Sequence, residues 1–139
     1  MKTDIDREGL VQRAAVARRQ AYASYSGYDV GAALLTASGR VYVGCNVENA
    51  VYPLSMCAER VAVFEAVCDG EREFEAIAVV TENGGAPCGS CRQVLREFGE
   101  ETLVLIADAQ GNYRETTVGE LLPDSFSAVD LNSLAPQSP

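Results

Sequence analysis

The chain contains no histidine. Any zinc or general-base chemistry must therefore draw on cysteine, aspartate or glutamate. It also lacks an apolar stretch of membrane-spanning length: the longest runs, residues 76–80 and 103–107, fall far short of the roughly 20 residues a transmembrane helix needs. The N-terminus, with Asp4, Asp6, Arg7 and Glu8, offers no signal-peptide core, so a cytoplasmic address is expected. Basic residues are few. Eleven Lys and Arg against 20 Asp and Glu leave a formal charge of −9, which opposes attraction to phosphate backbones and counts against nucleic acid as a partner. The five cysteines are an odd number, and in a reducing compartment they read as ligands or buried thiols rather than as a disulfide framework.

What is present suits one ordinary globular domain spanning residues 1–139, with 47% hydrophobic and 22% charged residues. Residues 4–24, with Leu10, Ala14, Ala17 and Ala21 on one face, predict an amphipathic helix that Tyr25-Ser26-Gly27 ends. Residues 30–36 and 41–46 read as a hairpin around Ser38-Gly39. A helix over 56–68, with Val61, Phe64, Ala66 and Val67 apolar, stops at Asp69-Gly70. Residues 74–81 and 102–107 are nearly continuous apolar runs, the pattern of strands covered on both faces. Between them a helix is expected over 88–98, opened near Pro87 and closed by Gly99. A short strand over 113–117, a helical turn over 118–122 and a fraying tail from Asn132 complete the chain. This order implies an α/β fold, a three-layer α/β/α sandwich around a mixed five-stranded sheet.

Chemistry concentrates at two helix starts, Cys57-Ala58-Glu59-Arg60 and Pro87-Cys88-Gly89-Ser90-Cys91. Cys88 and Cys91 share a helix face with Cβ atoms about 5–6 Å apart, a spacing one zinc can bridge. Helix N-termini favour thiolate, the form a metal binds. If the two helices follow neighbouring strands, Cys57 meets the pair at one sheet edge. Cys68, eleven residues beyond Cys57, lies roughly 16 Å along the helix and is excluded as a ligand. Cys45 stays open as a fourth ligand. Glu59 argues for a site that keeps a position for water, since a closed structural zinc has no use for a neighbouring carboxylate. Arg60, three residues after Cys57, can donate to thiolate sulfur and offset the net −1 of three thiolates with Zn²⁺. C-x-x-C alone is also a redox motif. Together with the upstream Cys-x-Glu and Pro87 it matches the zinc deaminase signature, with cysteine in the place usually shown as histidine.

The sequence resembles the small homotetrameric cytidine deaminases along nearly its whole length. The matching stretches are Tyr25-Ser26, residues 30–35, residues 44–50, Cys57-Ala58-Glu59-Arg60, residues 87–93 and Leu121-Leu122-Pro123. The resemblance implies Zn²⁺ held by Cys57, Cys88 and Cys91, Glu59 as proton carrier, and the Ala58 backbone N–H beside the attacking oxygen. It further implies that Asn46 and Glu48 bind the ribose and that Phe126 reaches a neighbouring subunit's base, in a tetramer with sites near subunit interfaces. Tyr28 stands where the family usually has Phe, and Ser90 where it often has Ala. Cys45 fits the family pattern as a small buried residue.

The activity implied is hydrolytic deamination of cytidine and 2′-deoxycytidine to the uridines plus ammonia, as in pyrimidine salvage. Two alternatives stand beside it: a blasticidin S-type deaminase, and a non-catalytic binding module stabilised by a four-ligand zinc.

Overall fold

The computed structural model describes residues 4–134. Its helices and strands run α1 (Arg7–Arg18), β1 (Gly31–Thr36), β2 (Val41–Cys45), α2 (Ala58–Cys68), β3 (Phe74–Val80), α3 (Gly89–Arg96), β4 (Leu103–Ala107), β5 (Tyr113–Thr117), α4 (Val118–Leu121) and α5 (Ala128–Asn132). The strands form one sheet in the order β2-β1-β3-β4-β5. Only β3 and β4 pair in parallel, so the sheet is mixed, as expected.

Strand alternation divides the core in two. Ala32, Leu34, Ile77, Val79, Val104 and Ile106 point to one face, where they pack with Ala62, Val63 and Ala66 of α2 and Leu95 of α3. Ala33, Ala76, Ala78, Leu105 and their neighbours point to the other, against Leu10, Val11 and Ala14 of α1. Helices thus cover both faces, giving the three layers. No helix among the described residues is long and apolar enough to cross a membrane.

The first helix is shorter than its pattern suggests. Asp6 caps it by accepting from the Gly9 amide at 3.0 Å. Beyond Arg18 the chain leaves the helix because Tyr22 finds a better partner: its amide donates to the Asn46 carbonyl at 2.9 Å and its carbonyl accepts from the Glu48 amide at 2.8 Å. Long-range pairing overrides local helical propensity there. In α2 the buried set is Ala58, Glu59, Ala62, Val63 and Ala66, while Phe64, apolar as it is, is exposed. The expected fraying tail divides: Asn132 ends α5, and residues 135–139 lie outside the described part.

One glycine decides how α2 sits. A Cβ at Gly44 of β2 would fall 2.5 Å from the Ala58 carbonyl oxygen and 2.8 Å from the Ala62 amide nitrogen. The bare backbone lets the first turn of α2 lie directly on the sheet. That contact fixes the height at which Cys57 and Glu59 stand above the strand ends.

Candidate metal centre and nucleoside cavity

The helices α2 and α3 do not follow neighbouring strands, as their shared edge had suggested. They follow β2 and β3, which flank β1. Both strands run antiparallel to β1 and hence parallel to each other, so both helix starts still emerge at one sheet edge. Cys57 is the N-cap of α2 and Cys88 the N-cap of α3. Neither side chain caps its own helix, which leaves both sulfurs free to point outward past the helix end.

The three sulfurs of Cys57, Cys88 and Cys91 lie within 4.8 Å of one another. Cys57 Sγ is 3.9 Å from Cys88 Sγ, and Cys88 Sγ is 3.5 Å from Cys91 Sγ. A tetrahedral zinc with bonds of about 2.3 Å spaces its sulfurs by about 3.8 Å, so the cluster fits such an ion. These separations far exceed the roughly 2.05 Å of a disulfide, and all five cysteines are free thiols. Cys45 is not part of the cluster; burial raises its thiol instead. Cys57 is pulled down to about 5, first by a hydrogen bond from Cys91 and then by Arg60. Cys91, which donates to Cys57 and is fully buried, is pushed up.

Glu59 is 4% exposed and lines the cavity beside the cluster. Burial, above all, raises its carboxyl, with the Cys57 charge adding to the effect. Arg60 Nη2 donates to Cys57 Sγ at 3.2 Å, and its buried Nε has no partner among the described residues. Ala58 is wholly buried and also lines the cavity.

The cavity encloses about 320 Å³, within the range of small-molecule sites. It gathers Tyr28, Asn46, Glu48, Ala58 and Glu59 together with Cys57 and Cys88. Asn46 Oδ1 accepts from the Val30 amide at 2.9 Å and its Nδ2 donates to the Tyr28 carbonyl at 2.8 Å. Glu48 accepts from the amides of Tyr25 and Ser26, each at 2.9 Å, and from the Ser26 hydroxyl. These bonds, the Ser26 hydroxyl foremost, hold its carboxyl below the usual range. Phe126 does not line this cavity; it is 58% exposed, and its carbonyl accepts from Gln93 Nε2 at 2.9 Å.

Two residues here had no signal of their own in the sequence. Thr81, buried at the end of β3, accepts from the Gly85 amide at 2.7 Å and shapes the loop toward Cys88. Arg92 donates to the carbonyls of Pro87 and Leu121 at 2.7 and 2.8 Å, fastening α3's start to α4. Both act through backbone partners, and only the Arg92–Leu121 bond joins segments distant in the chain, a pairing that no spacing reveals.

Residues 5–107 match the family described as the cytidine and deoxycytidylate deaminase zinc-binding region. The chain belongs to that family. A cytidine deaminase of Sporosarcina psychrophila is 48% identical over 96% of this chain and 100% of its own length. One from Halalkalibacterium halodurans is 48% identical over 92% of this chain and 99% of its own. Among solved structures, the cytidine deaminase of Burkholderia pseudomallei superposes with a TM-score of 0.83 at 50% identity, covering 88% of this chain and 100% of that one.

Proposed function

We infer that this chain, acting as one domain over residues 1–139, is a zinc hydrolase that deaminates cytidine and 2′-deoxycytidine to uridine and 2′-deoxyuridine plus ammonia. The observation that carries the reading is the pairing of three convergent thiols with one buried carboxyl on the wall of a single cavity. A closed structural zinc needs a fourth protein ligand, and Cys45 stands apart from the cluster.

Cys57, Cys88 and Cys91 hold the metal, and Arg60 offsets part of their charge. Bound zinc lowers the pKa of water to about 7 and so supplies a strong nucleophile at neutral pH. Glu59 moves the protons: it takes one from the attacking water and gives it to N3 of the base, then takes the proton of the new C4 hydroxyl and delivers it to the amino group, so that the C4–N bond breaks, the C4 carbonyl forms and ammonia leaves. The Ala58 N–H, an orphan donor of the first turn, serves the incoming oxygen.

Asn46 and Glu48 bind the ribose. Each keeps capacity after its internal bonds: Asn46 Nδ2 retains a second hydrogen, and a carboxylate offers about four acceptor positions, of which Glu48 uses three. Tyr28 presents its ring to the base side of the cavity. Phe126 reaches a second subunit's site in a homotetramer, a role supported by its exposure beside Val129 and Leu131, which are 71% and 63% exposed. The cytoplasm, which keeps thiols reduced, suits a protein with five of them free.

The test follows the ultraviolet spectrum of cytidine incubated with protein of known zinc content. Conversion to uridine that stops on chelation and returns with zinc is expected. Turnover of blasticidin S in place of cytidine would move the assignment to that enzyme type, and no turnover of either would favour a zinc-stabilised module.

A further inference from the structure

Tyr28 lines the cavity, and its hydroxyl is engaged outside it: it donates to Asn83 Oδ1 at 2.7 Å. Asn83 is exposed, is not among the residues lining the cavity, and begins the stretch that leads through Gly84, Gly85, Ala86 and Pro87 to Cys88. Gly85, Ala86 and Cys88 do form part of the cavity wall. Tyr28 lies just before β1, whose Gly31 pairs with Val80 at the end of β3. The Tyr28–Asn83 bond therefore crosses the seam where the chain enters one strand and leaves its neighbour.

One residue along, the same seam is closed again. Arg18, the last residue of α1, donates from Nε to the Asp29 carbonyl at 2.9 Å and from Nη2 to Glu82 Oε2 at 3.1 Å. Gly85 completes the contact. A Cβ at that position would lie 2.5 Å from the Tyr28 hydroxyl oxygen yet 3.6 Å from the ring carbon that carries it. The hydroxyl occupies the room a side chain at position 85 would take.

Building on the deaminase reading above, we propose that Asn83 is a positioning residue for the nucleoside. By accepting the Tyr28 hydroxyl it fixes that ring on the cavity wall and holds the segment over residues 82–85 at the mouth. Tyr28 is 41% exposed, so without the bond its ring samples several rotamers and must be ordered when the ligand arrives. With the bond, that ordering precedes binding. Substrate affinity therefore depends on Asn83, while the proton transfers at Glu59 do not. The hydroxyl is spoken for, so the ring meets the ligand through carbon, as a phenylalanine would.

The experiment is steady-state cytidine kinetics on zinc-loaded wild type, Tyr28→Phe, Asn83→Ala, Gly85→Ala and the two doubles that combine Tyr28→Phe with each of the others. Zinc content and Tm are measured alongside. Each single change is expected to raise KM about two- to tenfold, the worth of one neutral hydrogen bond, with kcat, zinc and Tm little changed. Tyr28→Phe with Asn83→Ala should be no worse than either alone. Adding Tyr28→Phe to Gly85→Ala removes the collision and should return KM to the Tyr28→Phe level. Unchanged KM, losses that multiply in the doubles, or parallel falls in kcat and Tm would overturn the proposal. A wild type that converts no cytidine removes the deaminase reading and this inference with it, whereas an active wild type with indifferent variants removes the inference alone.

Discussion

Burial governs the acid–base behaviour of Glu59, which has 4% of its surface exposed and a carboxyl shifted upward mainly for that reason. A glutamine there keeps the size and loses the proton. Glu59→Gln is therefore expected to retain one zinc per chain while turnover falls by about 10²–10⁴-fold, the usual worth of a positioned general acid–base; metal analysis paired with the cytidine assay checks it, and near-normal turnover would remove the role. The convergence of the three cysteines beside Glu59 was legible because these residues sit at helix starts, where sequence spacing is nearly spatial spacing. That Asn46 and Glu48 line the cavity was legible through the resemblance alone, since a polar pair after a strand reads equally well as a turn. Their bonds to Tyr28, Val30, Tyr25 and Ser26 join segments far apart in the chain, and that kind of pairing leaves no periodic trace.

At the level of elements, α2 is held at both ends. Gly44 admits its first turn, and a methyl group there would press on backbone atoms that cannot swing aside. Gly44→Ala should cost about 1–3 kcal/mol, as overpacking does, and should lower zinc occupancy by lifting Cys57; thermal denaturation with metal content reads both. The far end is tied through Asp69, the C-cap, which accepts from the Tyr42 hydroxyl and from Arg40 Nη1 at 3.0 Å. Tyr42 first, and Arg40 after it, depress the Asp69 carboxyl below its ordinary 3.8. A lowered folded-state pKa means stabilisation that is present above the unfolded value and lost as pH falls through the folded one. Asp69→Asn should thus lower Tm at pH 7, with the gap to wild type narrowing below about pH 3.8 and closing in stronger acid; a gap that persists there would remove Asp69's charge as its source. Both ties pair β2 with α2, elements whose existence the hydrophobic pattern announced. Their ends were less legible. The first helix ran too long in the reading because Tyr22 pairs with Asn46 and Glu48, and the apolar pattern of α2 did not tell Phe64, which is exposed, from the residues that are buried.

Phe64 is one of several large apolar side chains left outward, with Tyr52 at 69%, Leu54 at 64% and Phe126 at 58% exposure. Exposed apolar side chains of this size are the expected mark of subunit contacts. The homotetramer proposed above predicts that light scattering on the purified protein returns about four times the 14.8 kDa chain mass, and a monomer active at the same rate would contradict the assembly. The way the metal ligands are distributed along the chain also bears on how it acquires its ion. Cys57 precedes β3 while Cys88 and Cys91 follow it, and β1 lies between β2 and β3 in the sheet. The three sulfurs can meet only after the β1–β2 hairpin has docked onto β3, a non-local step that is paid for in loop-closure entropy before any coordination bond rewards it. Ion capture is then a late event in folding, and affinity for the ion is inseparable from the free energy of that docking. A chain emerging from the ribosome cannot assemble the three-sulfur site until residue 91 is free to fold back.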